Sequence, residues 1–311
     1  MTQNWRLGFG FALVTTVFWG LLPFALKELL AHLDAITITW FRFSAAALIA
    51  ALWYGRRSVS GIKRLLSLAM LPLTFVTVAT LLINYVLFVY GLSFVTPAAA
   101  EIIINTSPLL LLLGSILFFK ESFAPRQWFG VVLFSIGMLL FFHHRLRDLV
   151  STEPDYIFGL AIVFLGGVLW ACYGLGQKLI LRKEKANDLL LLIYLAGSVV
   201  YLPFAAPMAI MEFDGLLWAI LLFASLNTII AYGSFGIAMS NWDASRVSAV
   251  ITLAPLITLG FGWLMNAIWP GSVHVEPMDA LNWLGGLLVV VGSTIAALSG
   301  GSNKSTVAQS T

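Results

Sequence analysis

Apolar residues in this chain fall into runs of about 20, divided by short polar breaks, and the runs lack the period-two alternation of barrel strands. Ten such runs stand at about 7–29, 34–54, 66–92, 96–119, 126–142, 156–180, 188–210, 215–239, 244–268 and 280–299. At 1.5 Å per residue, about 20 helical residues cross a hydrocarbon core of roughly 30 Å. The pattern therefore predicts an all-α integral membrane protein with ten transmembrane helices. The first run is longer than a signal-peptide core and no small-residue cleavage site follows it, so it reads as a retained helix and not a cleaved leader.

The runs also repeat. Tyr85 to Leu109 (YVLFVYGLSFVTPAAAEIIINTSPL) and Tyr232 to Leu256 (YGSFGIAMSNWDASRVSAVITLAPL) align without a gap at an offset of 147. The match pairs Tyr85 with Tyr232, Phe88 with Phe235, Ser93 with Ser240, Ile104 with Ile251 and Pro108 with Pro255. Trp19 and Lys27 match Trp170 and Lys178 at an offset of 151, and Glu121, Trp128, Gly130 and Gly137 match Glu276, Trp283, Gly285 and Gly292 at 155. Each half holds five spans, an odd number, so the second half begins on the opposite face from the first. The expected architecture is two inverted five-helix repeats, with a proline inside each copy of one helix and the functional site between the halves. The first repeat is expected over 1–142 and the second over 156–299, with a polar connection at 143–155 and a disordered Gly/Ser/Thr-rich tail at 300–311.

Composition agrees with a lipid solvent. The chain is 60% hydrophobic and 10% charged, against roughly 25% charged in soluble domains, and its mean hydropathy is +0.96. With the N-terminus in the cytoplasm, 13 of the 17 Lys and Arg residues fall on the cytoplasmic side, which is the expected bias of short loops. Both termini are then inside, and a bacterial inner membrane is the expected location. A net charge of +3 makes no case for nucleic acid, and the single Cys172 excludes an intrachain disulfide.

These features together resemble the EamA family of the drug/metabolite transporter superfamily. The resemblance is carried by Trp19-Gly20 with Lys27, Arg42 in WFRF, Asn84-Tyr85, Pro108, Lys120-Glu121 and Gln127-Trp128-Phe129-Gly130, and in the second half by Trp170, Lys178, Pro255 and Trp283 with Gly285. It implies a ten-helix inverted-repeat permease for small metabolites, amino acids included, often working as an efflux carrier. Its central cavity would be lined by spans one, three, four, six, eight and nine, with spans five and ten peripheral. The segment Trp269 to Val275 replaces a tighter turn before Glu276 and departs from the family pattern.

Glu101 is the sharpest candidate for mechanism. It lies inside the fourth span, about 8 Å along the helix from Thr96, where an ionised side chain costs roughly 2.5–3.5 kcal/mol on insertion scales. Such a group faces a cavity or a partner, and a proton-coupled step suits it; a shallow, hydrated position is the plainer reading. Asn105 stands one turn on, and Ser248 and Thr252 form the matching pair in the other half, so that four polar groups would line one cavity. Trp19, Asn84, Tyr85, Trp170, Tyr173, Asn227 and Tyr232 are candidate lining, since aromatic walls with few polar groups suit amphipathic ligands.

Arg246 has Ala99 as its repeat mate; it would meet a substrate carboxylate or snorkel to water beside Asp243. Arg42 favours a helix-to-helix bond over substrate contact. Lys27 and Lys178 sit at equivalent span ends and read as gates or, more simply, as anchors. Pro108 and Pro255 permit bending of equivalent helices. Gly130, Gly137, Gly285 and Gly292 suit close packing of the peripheral helices, or a dimer seam.

Enzyme chemistry has no foothold in the sequence. His32, His143, His144 and His274 all lie at span ends or in loops, and HExxH, GxSxG and CxxC are absent. No phosphate loop, metal site or other cofactor is expected. The expected function is export of small amphipathic metabolites by alternating access, with protons as a candidate coupling ion and the protein a monomer or weak homodimer. The alternatives are an exporter of lipophilic cations and drugs, or a non-transporting membrane sensor of the same fold.

Overall fold

The computed structural model describes residues 4–95, 97–119, 124–141, 143–144, 154–270 and 279–298. Lys120, Glu121, His274, Glu276, the tail 300–311 and most of the 143–155 connection lie outside them. Among the described residues every regular element is helical. The helices are α1 (Trp5–Leu29), α2 (Ala35–Ala50), α3 (Arg56–Leu65), α4 (Leu71–Phe94), α5 (Pro97–Ile104), α6 (Thr106–Phe119) and α7 (Pro125–Phe141). They continue with α8 (Pro154–Ile180), α9 (Ala186–Tyr201), α10 (Gly215–Asn241), α11 (Ala244–Ile251), α12 (Ala254–Ile268) and α13 (Ala280–Leu298).

Seven helical stretches are long and apolar enough to cross a membrane, and α6, α7 and the Ala280–Gly292 part of α13 are shorter apolar helices. Two of the expected spans are broken rather than continuous. The fourth divides into α5 and α6 at Asn105, and the ninth into α11 and α12 at Thr252 and Leu253. The prolines therefore do not stand in mid-helix as the sequence suggests. Pro108 is the third residue of α6 and Pro255 the second of α12, in a first turn whose N–H groups lack intrahelical acceptors in any case.

Local chemistry sets several helix starts. The Asp34 side chain accepts from Ile36 N and Thr37 N, both at 2.9 Å, and Asp214 accepts from Leu217 N at 2.8 Å. One cap recurs at equivalent places. Gln127 Oε1 accepts from Ala124 N at 3.0 Å before α7, and its repeat mate Asn282 accepts from Asp279 N at 2.7 Å before α13.

Three helix pairs dominate the packing: α1 against α10, α4 against α8, and α7 against α13. The last is a backbone-to-backbone seam. A Cβ on Gly285 would stand 2.3 Å from Phe141 N, one on Gly137 2.6 Å from Val289 N, and one on Gly292 2.5 Å from Phe134 N. The four glycines thus serve packing inside the chain. Large apolar side chains such as Phe75, Leu117, Trp283 and Leu287 are exposed, a surface made for lipid and not for water.

The first two pairs are tied by matching polar contacts. Asn84 Nδ2 on α4 donates to Gly166 O on α8 at 2.9 Å, and Thr15 Oγ1 on α1 donates to Ala231 O on α10 at 3.1 Å. Thr15 is the repeat mate of Gly166 and Asn84 of Ala231, so the same contact is made twice with the donor exchanged. Lys27 Nζ donates to Leu92 O at 2.8 Å and Val95 O at 3.2 Å. Lys178 Nζ donates to Met239 O at 2.7 Å and Trp242 O at 2.6 Å, the mates of those two residues.

Candidate functional site

A cavity of about 100 Å³ opens where α1, α4, α5, α8 and α10 converge with the two helix breaks. A single water needs about 10–15 Å³ on that measure, so the space accepts a solute of several heavy atoms, not a bare ion alone. Its wall is mostly apolar and aromatic. Trp19 of α1 meets Trp170 of α8 edge to face at 5.4 Å, and Tyr85 of α4 packs on Tyr232 of α10 at 5.3 Å between ring centroids. Both contacts join repeat mates. Trp19 also touches Tyr232 at 5.1 Å, which links the four rings in one chain. Gly20 lets α1 come this close to α12, because a Cβ there would stand 2.7 Å from Ala254 O.

Polar groups enter at few points. Glu101 on α5 is 5% exposed and lines the cavity. Among the described residues nothing donates a hydrogen bond to its carboxylate, and no cation lies within ion-pair distance. Asn105, at the break between α5 and α6, donates from Nδ2 to Glu101 O at 3.0 Å, while its buried Oδ1 has no partner among the described residues. Arg42 on α2 is 2% exposed and lines the same cavity. Its Nε donates to Thr228 Oγ1 at 3.1 Å and Ala224 O at 3.3 Å on α10, and its Cζ stands 4.7 Å above the Tyr85 ring. A cation over an aromatic face at that distance is attracted to the ring.

The structure brings Trp19, Asn84, Tyr85, Glu101, Asn105, Pro108, Trp170 and Tyr232 to the cavity wall. It places the other candidates elsewhere. Ser248 Oγ donates to Pro108 O across the two breaks, and Thr252 Oγ1 to Ala249 O at 2.6 Å, so this pair spends its hydroxyls on backbone. Tyr173 is buried behind the wall, 6.1 Å from the Tyr232 ring. Asn227 donates to Phe18 O, tying α10 to α1. Arg246 pairs with Asp243 at 3.3 Å, at the start of α11. Lys27 and Lys178 cap helix ends, and Pro255 lies beside the lining residue Ala254.

Sequence reasoning missed the place of Arg42 in the wall. The signal was present: an arginine eight residues inside a span, too deep for easy snorkelling. One group of metal-ligand type occurs among the described residues, His143, His144 and Asp279, with ligand atoms within 4.8 Å of one another. It lies at the α7–α13 end and does not line the cavity, and Asp279 is already engaged as the cap of α13, accepting from Leu281 N at 2.9 Å and Asn282 N at 3.0 Å.

A lipid-facing helical bundle that closes around a small, mixed polar and aromatic cavity is the form of a membrane transporter. The chain belongs to the EamA-like transporter family, whose profile matches residues 6–143 and again 157–298. It is 34% identical to an "Uncharacterized transporter" of Haemophilus influenzae, over 96% of this chain and 97% of that one. It is 31% identical to the "Uncharacterized inner membrane transporter YhbE" of Escherichia coli (strain K12), over 96% and 93%. A "Probable amino-acid metabolite efflux pump" of Salmonella typhimurium is 22% identical over 90% and 91%. A solved crystal structure aligns with a TM-score of 0.72 over 94% of this chain and 97% of its own, at 16% identity, which is a likeness of fold.

Proposed function

We propose that this protein is a secondary carrier that exports small amphipathic metabolites, amino acids among them, across a bacterial inner membrane. Ten spans would form two inverted repeats, 1–142 and 156–299, with both termini cytoplasmic. The observation that carries this reading is the cavity itself: residues of both halves wall it, and it holds a buried carboxylate, Glu101, without a partner among the described residues.

Symmetry supports the repeat arrangement. Residues related by a two-fold axis touch one another only near that axis, and the mates Trp19 with Trp170 and Tyr85 with Tyr232 touch at the cavity. A site on the axis is what alternating access by rocking halves requires. The paired lysine caps and the exchanged Asn84 and Thr15 bonds fit the same operation. The breaks at Asn105 and Thr252 fall where Pro108 and Pro255 remove helix bonds, and they are the places where these helices would flex. Glu101 is the proton-exchanging group in this mechanism, with Arg42 the charged residue sharing its cavity. The relatives named as an inner membrane transporter and as an amino-acid metabolite efflux pump support the location and the substrate class.

The test is uptake of radiolabelled amino acids into proteoliposomes preloaded with single metabolites. Saturable uptake stimulated by counterflow is the expected result. Silence across the panel, in protein shown to be folded, overturns the amino-acid assignment. Export of lipophilic cations is the second reading, favoured by the contact of a carboxylate cavity with four aromatic rings.

A further inference from the structure

An acid and a guanidinium share one small membrane-buried cavity and form no ion pair with each other. Arg42 and Glu101 both line it, yet no Arg42 nitrogen comes within 4.0 Å of a Glu101 oxygen, the reach of an ion pair. Each is at least nine-tenths buried. A charge held in such a place is expensive unless something compensates it, and neither group is compensated by the other. Arg42 is also fixed through only one of its five N–H donors. Its Nε bonds α10 and its plane rests on Tyr85, while among the described residues no acceptor meets its Nη groups. The opposite pole is equally unmet: the Glu101 carboxylate and, one turn on, the buried Oδ1 of Asn105.

We infer that the cavity reads a zwitterion by its two poles, with the ligand's carboxylate on the Arg42 Nη groups and its ammonium on Glu101 and Asn105 Oδ1. The inference rests on the carrier reading above and deepens it to a substrate class, the free α-amino acid head group. The chemistry of each pole fits its partner. A guanidinium offers paired N–H donors to a carboxylate. An ammonium has three donors, and two carboxylate oxygens with one amide oxygen supply three acceptors. Trp19 and Trp170 are left to face the apolar side chain. A lipophilic cation satisfies Glu101 but is repelled by Arg42, and an organic anion meets the reverse penalty, so the pair selects by what it rejects as well as by what it holds.

The test uses purified protein in nanodiscs and thermal-shift titrations with three scaffolds, alanine, leucine and phenylalanine. Each is offered as the free amino acid, as its amide, which lacks the carboxylate, and as its N-acetyl derivative, which lacks the ammonium. In at least one scaffold the free amino acid should bind at least about tenfold tighter than either derivative, since a buried pole left unpaired costs that much or more. Glu101→Gln should remove the discrimination against the N-acetyl compound while keeping that against the amide. Arg42→Gln should do the converse, and Arg42→Lys, which retains the charge, should keep part of the preference if the glutamine variant does not fold. Equal binding of amide and free amino acid by the unaltered protein overturns the inference without any variant. If counterflow of some other metabolite persists in that case, the zwitterion assignment falls and the carrier reading stands. If no metabolite exchanges at all, the carrier reading falls with it.

Discussion

Lys27 and Lys178 make the same bond twice: each ammonium closes the end of a helix in its own half, α4 through Leu92 and Val95 and α10 through Met239 and Trp242. Terminal carbonyls of a helix lack internal partners, and a cation placed there satisfies both hydrogen bonding and the helix dipole. These lysines anchor, and the geometry gives them no ligand in the cavity.

Replacing either lysine by methionine should therefore destabilise the protein by about 1–3 kcal/mol, the cost of leaving charge-assisted bonds unmade. Ligand affinity should change little. Chemical denaturation in detergent, paired with ligand titration, checks both halves of the expectation; a large loss of affinity at unchanged stability would restore a gating role.

Glu101→Gln should keep the fold, because among the described residues the carboxylate holds no other residue in place. Transport by this variant should lose its dependence on pH, since the exchangeable proton is gone. Counterflow rates measured from about pH 5.5 to 8.5 decide it: an unchanged profile rules Glu101 out as the coupling acid. In the lipophilic-cation reading the same change abolishes cation binding and spares neutral and zwitterionic compounds.

The α7–α13 seam gives a contrast between two glycines. Gly285→Ala drives a methyl into the Phe141 backbone, where nothing flexible can give way, and should cost about 1–3 kcal/mol. Gly260→Ala, at an exposed position of α12 with nothing within 4 Å of a new Cβ, should be neutral or stabilising by up to about 1 kcal/mol. Melting temperatures of the two variants should move in different directions.

Much of this was legible before any coordinates, and the exceptions share a cause. The repeat alignment matched Lys27 with Lys178, Trp19 with Trp170 and the glycines of one peripheral helix with those of the other, because mates in a repeat keep their helix and depth. It could not give helix rotation. Glu101 and Ser248 align, yet one faces the cavity and the other donates to Pro108 O. The breaks at Asn105 and Thr252 were signalled by Pro108 and Pro255, which stand three residues on, although the sequence did not say that the helix would divide there. Arg42 hid in plain view, as a residue that bonds a neighbouring helix and lines the cavity at once.

Asp279 ties the start of α13 to the end of α7. Backbone N–H donation from Asn282 holds its carboxyl below the usual carboxylate range, helped by His143, by Leu281 N and by His144, against a smaller desolvation effect. A group depressed on folding contributes stability that is present above its unfolded value, about 3.9, and is lost as pH falls through the folded one. Asp279→Asn keeps a competent cap without the titration. Its melting temperature should fall less steeply than that of the unaltered protein below about pH 4, and parallel curves would show that the carboxylate contributes nothing there.

The bond from Arg42 to α10 also sets a schedule. Its acceptors on Ala224 and Thr228 lie 182 and 186 residues further along the chain. At about 5–20 residues per second of synthesis, a guanidinium already delivered to the bilayer waits on the order of 10–40 seconds for the backbone that will receive it. The early helices are thus released with Arg42 still lacking the acceptors that α10 will bring. Halves expressed separately should therefore accumulate only when both are made together.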